Sequence, residues 1–216
     1  MLAKIQSLGL HGIDGLLVTA ECDVSGGLPS FELVGLPDAA VKEARERVRS
    51  AVKNSGFEFP LARITVNLAP ADIKKEGPIY DLPICLGILA STGELDETKL
   101  SDYIIAGELS LSGDLRHICG GVSLALLARR LGKKGVILPP ESAAEAALVD
   151  GIDALAPRDL GELVNFLRGK TNLEPVRASE SPFNIPQQSE GMPDFADVKG
   201  QHQVPLRSPW QAGTIF

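Results

Sequence analysis

Asp72, Lys74, Lys75 and Glu76 are crowded into one short stretch between two apolar segments, immediately ahead of Gly77-Pro78. A charged loop that feeds a strand into a helix N-terminus is where many α/β proteins keep their chemistry. A second such place is Cys119-Gly-Gly-Val-Ser123, where a glycine pair opens an apolar helix. A third is the series Lys42, Arg45, Arg49 and Lys53, with Arg47 beside it, which recurs at helical spacing and could touch phosphates or an acidic partner. Plainer roles compete with each. The loop also reads as a solvated connection capped by Asp81, and the basic stripe as a solvated face in which Glu43 and Glu46 pair with nearby Arg and Lys.

The elements that must position these groups follow from periodicity. Ile64, Val66 and Leu68 alternate along a strand that begins at Arg63, and the run through Ala90 beyond the loop is apolar nearly all round, as in a buried helix. Upstream, Ala3–Leu10, Gly15–Val24 and Ser30–Gly35 read as three strands of a β-meander. Pro37-Asp38 opens a helix with Asp38 at its N-cap, and Val41, Ala44, Val48, Ala51 and Val52 carry it to Asn54-Ser-Gly56. Downstream, Tyr103–Arg116 alternates as a hairpin turned at Ser112-Gly113-Asp114. Helices at Val122–Leu131, Glu141–Leu148 and Asp159–Arg168 then alternate with short strands at Lys133–Pro139 and Ile152–Ala156, which implies βαβ crossovers on a mixed sheet. The fold class is α/β with α+β character: residues 1–170 form one domain, 171–193 a Pro- and Gln-rich linker, and 194–216 a tail without periodicity.

The 216 residues, 44% apolar, suffice for one core. A net charge of −7 disfavours a surface that neutralises many phosphates by itself. The longest apolar run is too short to span a bilayer and no signal-peptide pattern opens the chain, so a cytoplasmic protein without membrane contact is expected. Cys22, Cys85 and Cys119 read as buried free thiols, and His11, His117 and His202 form no metal-ligand cluster. Gly169-Lys170-Thr171 imitates the end of a phosphate-binding loop, but Val164 replaces its first glycine and the segment follows a helix. No nucleotide or metal site is expected in this chain.

Gly35-Leu-Pro-Asp38, Val66-Asn-Leu-Ala-Pro-Ala-Asp72, Lys75-Glu-Gly77, Tyr80-Asp-Leu-Pro83 and Ala106-Gly-Glu-Leu109 together resemble the N-terminal domain of the magnesium-chelatase-like AAA+ ATPases, the YifB or ComM group. The resemblance extends to Phe195–Gln201, which looks like the entry to the family's ATPase module, whereas residues 204–216 depart from it as a truncated or frame-shifted product would. It implies a parent that is a homo-oligomer, a hexamer, binds ATP and Mg, and in the ComM branch remodels DNA during natural transformation. The domain in turn resembles the Lon protease domain, with the fold of the second domain of a small-subunit ribosomal protein. Lon-type domains carry a serine after a Gly-Pro and a lysine after a Gly-Gly; here those places hold Ile79 and Ser123. Neither member of a Ser–Lys dyad is then in place, and Ser123 could meet only Lys74 or Lys75, in a swapped arrangement. The resemblance therefore implies a non-catalytic domain around a vestigial site of Lys74, Lys75, Glu76, Gly77, Gly120 and Gly121. Its glycines are expected because each helix start packs close to neighbouring backbone. The rival functions are a divergent Ser–Lys peptidase and a nucleic-acid-binding module using Lys42, Arg45, Arg49 and Lys53.

Overall fold

The computed structural model describes residues 2–11 and 14–177. The segment read as the truncated start of an ATPase module, and most of the linker, lie outside the described residues.

Strands β1 (Leu2–His11) and β2 (Asp14–Ser25) pair antiparallel, and β2 pairs antiparallel with β4 (Arg63–Ala69). The register puts alternate residues on opposite faces. Ala3, Cys22, Val66 and Leu33 form one row across the sheet, and Ile5, Ala20 and Leu68 the next, all turned toward the core. On the other face, Lys4 Nζ lies 3.3 Å from Glu21, whose carboxylate also accepts from Asn67 Nδ2 at 2.9 Å, while Leu8 nearer the turn is fully buried. The alternation of a dry and a wet face expected of antiparallel strands thus holds away from the hairpin end.

The N-terminal strands are only in part a meander. β3 (Ser30–Val34) does not return to β2; it pairs parallel with β4, and the sheet order is β1-β2-β4-β3. Parallel partners need a crossover, and the helical stretch between β3 and β4 supplies it. That stretch is two helices, α1 (Ala39–Lys42) and α2 (Ala44–Asn54), broken at Glu43. At the break the Ala40 carbonyl accepts from Arg47 Nη2 at 2.8 Å. Asp38 caps α1 as expected, accepting from Val41 N at 2.8 Å.

Helix α3 (Asp81–Ser91) is buried along its whole length, as its unbroken apolar sequence requires. It approaches β2 closely: a Cβ on Gly87 would stand 3.0 Å from Cys22 Cβ. A short helix, α4 (Glu97–Leu100), capped by Asp96 and not evident in the periodicity, leads to β5 (Tyr103–Ile105). The expected Tyr103–Arg116 hairpin is smaller. β5 joins a parallel sheet with two later strands, Gly135–Ile137 beside it and Asp153–Leu155 beyond, and only β6 (Glu108–Leu109) and β7 (Leu115–Arg116) pair antiparallel. The division falls at Gly107, whose N–H donates to Ile79 O and whose carbonyl accepts from Leu82 N, both at 3.0 Å.

Helices α5 (Gly121–Arg130), α6 (Pro140–Ala146) and α7 (Leu160–Leu167) alternate with β8 (Gly135–Ile137) and β9 (Asp153–Leu155), confirming the βαβ reading. Asp159 caps α7 through Glu162 N at 2.8 Å. The chain stays with the domain past residue 170, since Val176 N donates to Ala154 O at 2.8 Å and Leu173 and Val176 pack on the core. No helix among the described residues is long and apolar enough to cross a membrane.

Candidate functional site

The loop between β4 and α3 is held by backbone and by two carboxylates. Asp38 links both ends of the site: one oxygen caps α1 and the other accepts from Gly77 N at 3.1 Å. Lys75 N donates to Leu36 O at 3.1 Å, and Lys75 O accepts from Asp38 N at 3.0 Å, so the Gly35-Leu-Pro-Asp38 segment and the charged loop form a two-stranded bridge. Leu36 adopts φ 55 there, a left-handed conformation uncommon outside glycine.

Lys75 departs from the picture of a solvated loop. Its side chain is fully buried and its amine donates to the Pro70 carbonyl, while neighbouring Lys74 is exposed and paired with Glu76 at 2.6 Å. Burial pulls the Lys75 ammonium below its ordinary 10.5, against the weaker pull of Asp72. Lys75→Met should therefore be neutral to stabilising by about 1 kcal/mol at pH 7, because methionine fills the same space without a desolvated charge and the exposed Pro70 can turn its carbonyl to water. Between the lowered folded pKa and 10.5 the unfolded chain binds more protons, so wild-type stability rises with pH through that window. Urea melts at stepped pH should show the variant's advantage shrinking as pH rises; an advantage that grows would show that the amine is not desolvated.

Asp81 is not a solvent-facing cap. It is buried and takes both arms of Arg47, Nε at 2.6 Å and Nη2 at 3.0 Å, and accepts from Leu109 N at 3.3 Å. Burial raises the carboxyl's pKa above the usual range, opposed by the Arg47 guanidinium; Arg47 in turn is held more firmly protonated by that carboxylate. Arg47 thus belongs inside and not on the basic stripe, a position its spacing allows, three residues after Ala44 and four before Ala51. The clamp fastens α2, the start of α3 and β6 together.

At the two places where a Lon-type dyad would stand, Ile79 is buried, in a one-turn 3-10 segment Pro78–Tyr80, and Ser123 is half-buried in the first turn of α5. Tyr80 approaches β1, its hydroxyl 3.4 Å from a Cβ built on Gly9, and the Ser123 carbonyl lies equally far from one built on Gly15. Gly15 pairs with Leu10, so the two segments reach adjacent rungs of the β1–β2 hairpin from opposite side-chain faces. The glycines of the site have different causes. Gly121 is there for packing: its Cβ would stand 2.9 Å from Glu145 Cβ and overlap the Ser142 carbonyl. Gly77 has open space around it and is required instead by its φ of 76, and Gly120 adopts φ 95. The α5 start is further tied by Gly121 N to Glu145 Oε2 at 3.2 Å and by buried Ser142, which bonds Ile118 N and O and His117 Nδ1.

Cys22 and Cys85 are buried free thiols, burial pushing the Cys22 thiol up to about 12, but Cys119 is exposed. Among the described residues no cluster of His, Cys, Asp or Glu could hold a metal. Gly169-Lys170-Thr171 lines a cleft of about 500 Å³ with Lys99, Lys134, Tyr103 and Phe166. It follows the C-terminal end of α7, where Lys99 Nζ donates to Leu167 O at 3.0 Å; a phosphate-binding loop needs the opposite helix end.

The stripe residues Lys42, Arg45 and Lys53 are exposed and Arg49 is half-buried. Arg45 lies 3.4 Å from Glu46, whereas Lys42, Arg49 and Lys53 form no ion pair with a described residue. Arg45 and Arg49 line a small cleft of about 70 Å³ with Phe31, Phe59 and Leu61, apolar residues that periodicity did not single out.

The chain belongs to the family of subunit ChlI of Mg-chelatase, whose family model matches residues 20–142. It is 42% identical over 202 residues to YifB of Escherichia coli, and 42% identical over 207 residues to the competence protein ComM of Haemophilus influenzae. These alignments take in 94% of this chain but 39% and 40% of those proteins, so the chain spans about two fifths of their length. A weaker match, 22% identical over 191 residues, links 85% of the chain to 22% of Lon protease 1 of Hydrogenovibrio crunogenus, in keeping with the mixed α/β architecture.

Proposed function

We propose that this chain acts as the non-catalytic N-terminal domain of a ComM/YifB-like magnesium-chelatase-family AAA+ ATPase, making contact with substrate or supporting ring assembly. In such a parent, ATP and magnesium would be held by a module outside the residues described here, the active form would be a hexameric ring in the cytoplasm, and the substrate would be DNA, as the competence name of one relative suggests. The observation that carries the reading is the state of the Lon-like frame. Ile79 fills a buried place where a nucleophile would need an exposed hydroxyl, and the two lysines of the charged loop are turned to Pro70 and Glu76. What persists is the scaffold: the Arg47–Asp81 clamp, the Asp38 link and the tight α5 start.

The Lon similarity gives the peptidase alternative its one support, and the two readings separate cleanly. Incubated with fluorogenic unstructured peptides, the chain should release no product; turnover that disappears in Ser123→Ala would overturn the non-catalytic assignment. For the contact role, deleting the segment equivalent to residues 2–177 from a full-length relative should lower substrate-stimulated ATP hydrolysis or ring formation several-fold, with basal hydrolysis retained. Unchanged stimulation and assembly would remove the proposed role.

A further inference from the structure

β3 ends its sheet with an edge that no described strand pairs, and at the start of that strand a small cleft opens toward Arg45 and Arg49 of α2. Ser30 N donates to Ala62 O beside β4, so by strand alternation the N–H and C=O of Ser30, Glu32 and Val34 face β4, while those of Phe31 and Leu33 face outward. Open edges of this kind are templates for another chain, and proteins usually blunt them. Two large apolar side chains stand exposed at the start of these strands, Leu28 just before β3 at 85% and Leu61 just before β4 at 80%. At the start of β3 the cleft is lined by Phe31, Phe59, Arg45 and Arg49, and positive charge continues at Lys53 on α2 and at Lys42, the last residue of α1.

We propose that this edge and cleft bind an extended acidic peptide segment, which adds as a strand to β3 and places alternate carboxylate side chains against Arg45 and Arg49. The inference deepens the contact role proposed above and rests on it. Two observations select a polypeptide over a nucleic acid. A row of outward N–H and C=O groups spaced two residues apart is complementary to a peptide backbone and not to a phosphodiester. The net charge of −7 also opposes a polyphosphate, whereas Arg45, Arg49 and Lys53 on α2, with Lys42 at the end of α1, suffice for a few carboxylates. The guanidiniums matter most because their planar forks can hold a carboxylate with two bonds beside aromatic rings.

The test uses the whole chain and a short fluorescein-labelled peptide of alternating valine and glutamate, followed by fluorescence anisotropy at low and moderate salt. Binding should weaken about tenfold in Arg45→Glu/Arg49→Glu, and should also fall when alternate peptide nitrogens of the probe are methylated, a change that leaves the protein untouched. No binding at low salt, or binding indifferent to both changes, would overturn the proposal. Binding that depends on charge but not on the peptide N–H groups would overturn strand addition. Oligothymidylate bound in place of the peptide, with the same loss in the variant, would reassign the site to single-stranded nucleic acid. A dimer in sedimentation that dissociates in the variant, without peptide binding, would reassign it to a second copy of this chain. Cleavage of the probe, read by mass spectrometry, would sink the non-catalytic reading and with it this role; simple failure to bind sinks only this site.

Discussion

Arg47→Ala should lower the unfolding free energy by about 3–5 kcal/mol at neutral pH, and the loss should shrink as the solution is acidified. The substitution leaves the Asp81 carboxylate buried with Leu109 N as its remaining backbone donor. A charge stranded there must take up a proton or stay desolvated. The Asp81 pKa is already raised by burial even with the guanidinium present, and it rises further without it. A carboxyl whose folded pKa lies above its unfolded value favours the folded state at low pH and loses that contribution as pH rises through the folded pKa. The variant's deficit is therefore largest above that pKa and smallest below the ordinary carboxylate range. Asp81→Ala should cost less, because Arg47 retains 19% side-chain exposure and can turn its charge toward water. Replacing both partners, as Arg47→Met/Asp81→Leu, should recover stability to within about 1 kcal/mol of wild type. Urea titrations at neutral and mildly acidic pH measure all three, and a deficit for Arg47→Ala that is below about 1 kcal/mol or indifferent to pH would show that the clamp is not a buried charge pair.

That clamp also marks where sequence reasoning loses sight of the site. Alternation at Ile64, Val66 and Leu68 shows β4 because each residue reports its own face, and the unbroken apolar run of α3 shows a buried helix for the same reason. Partner choice is not local. Nothing in Ser30–Val34 says that it crosses to the far side of β4 instead of returning to β2, because alternation reports which face a side chain takes and not which strand lies beside it. Asp81 in a first turn has the residue type and position of a helix-terminus carboxylate, and only contact with Arg47, thirty-four residues away, turns it inward. Lys75 was obscured by its neighbours: Asp72, Lys74 and Glu76 are exposed, and one buried amine among them leaves no compositional trace. The family resemblance carried the fold, but not the reason each glycine stands where it does. Conformation explains Gly77, and packing explains Gly121.

Gly121→Ala isolates that packing cause and should destabilise the domain by about 3 kcal/mol, the upper end of the usual cost of overpacking. Gly121 has no left-handed φ, so alanine there meets no intrinsic backbone strain. The added methyl would instead overlap the carbonyl oxygen of Ser142 and stand 2.9 Å from Glu145 Cβ. Neither neighbour yields easily: Ser142 lies within α6, and its hydroxyl bonds Ile118 on both sides, donating to the carbonyl at 2.8 Å and accepting from the N–H at 3.0 Å. Relief must come from separating α5 and α6, which would also lengthen the 3.2 Å bond from Gly121 N to Glu145. For a domain of this size the loss corresponds to a fall in Tm of roughly 6–12 °C. Gly151→Ala is the control, since Gly151 has φ 80 and open space around it and so registers backbone strain without packing. Calorimetry should place Gly121→Ala well below that control; if the two melt together, the close approach of α5 to α6 is not what keeps a glycine at the start of this helix.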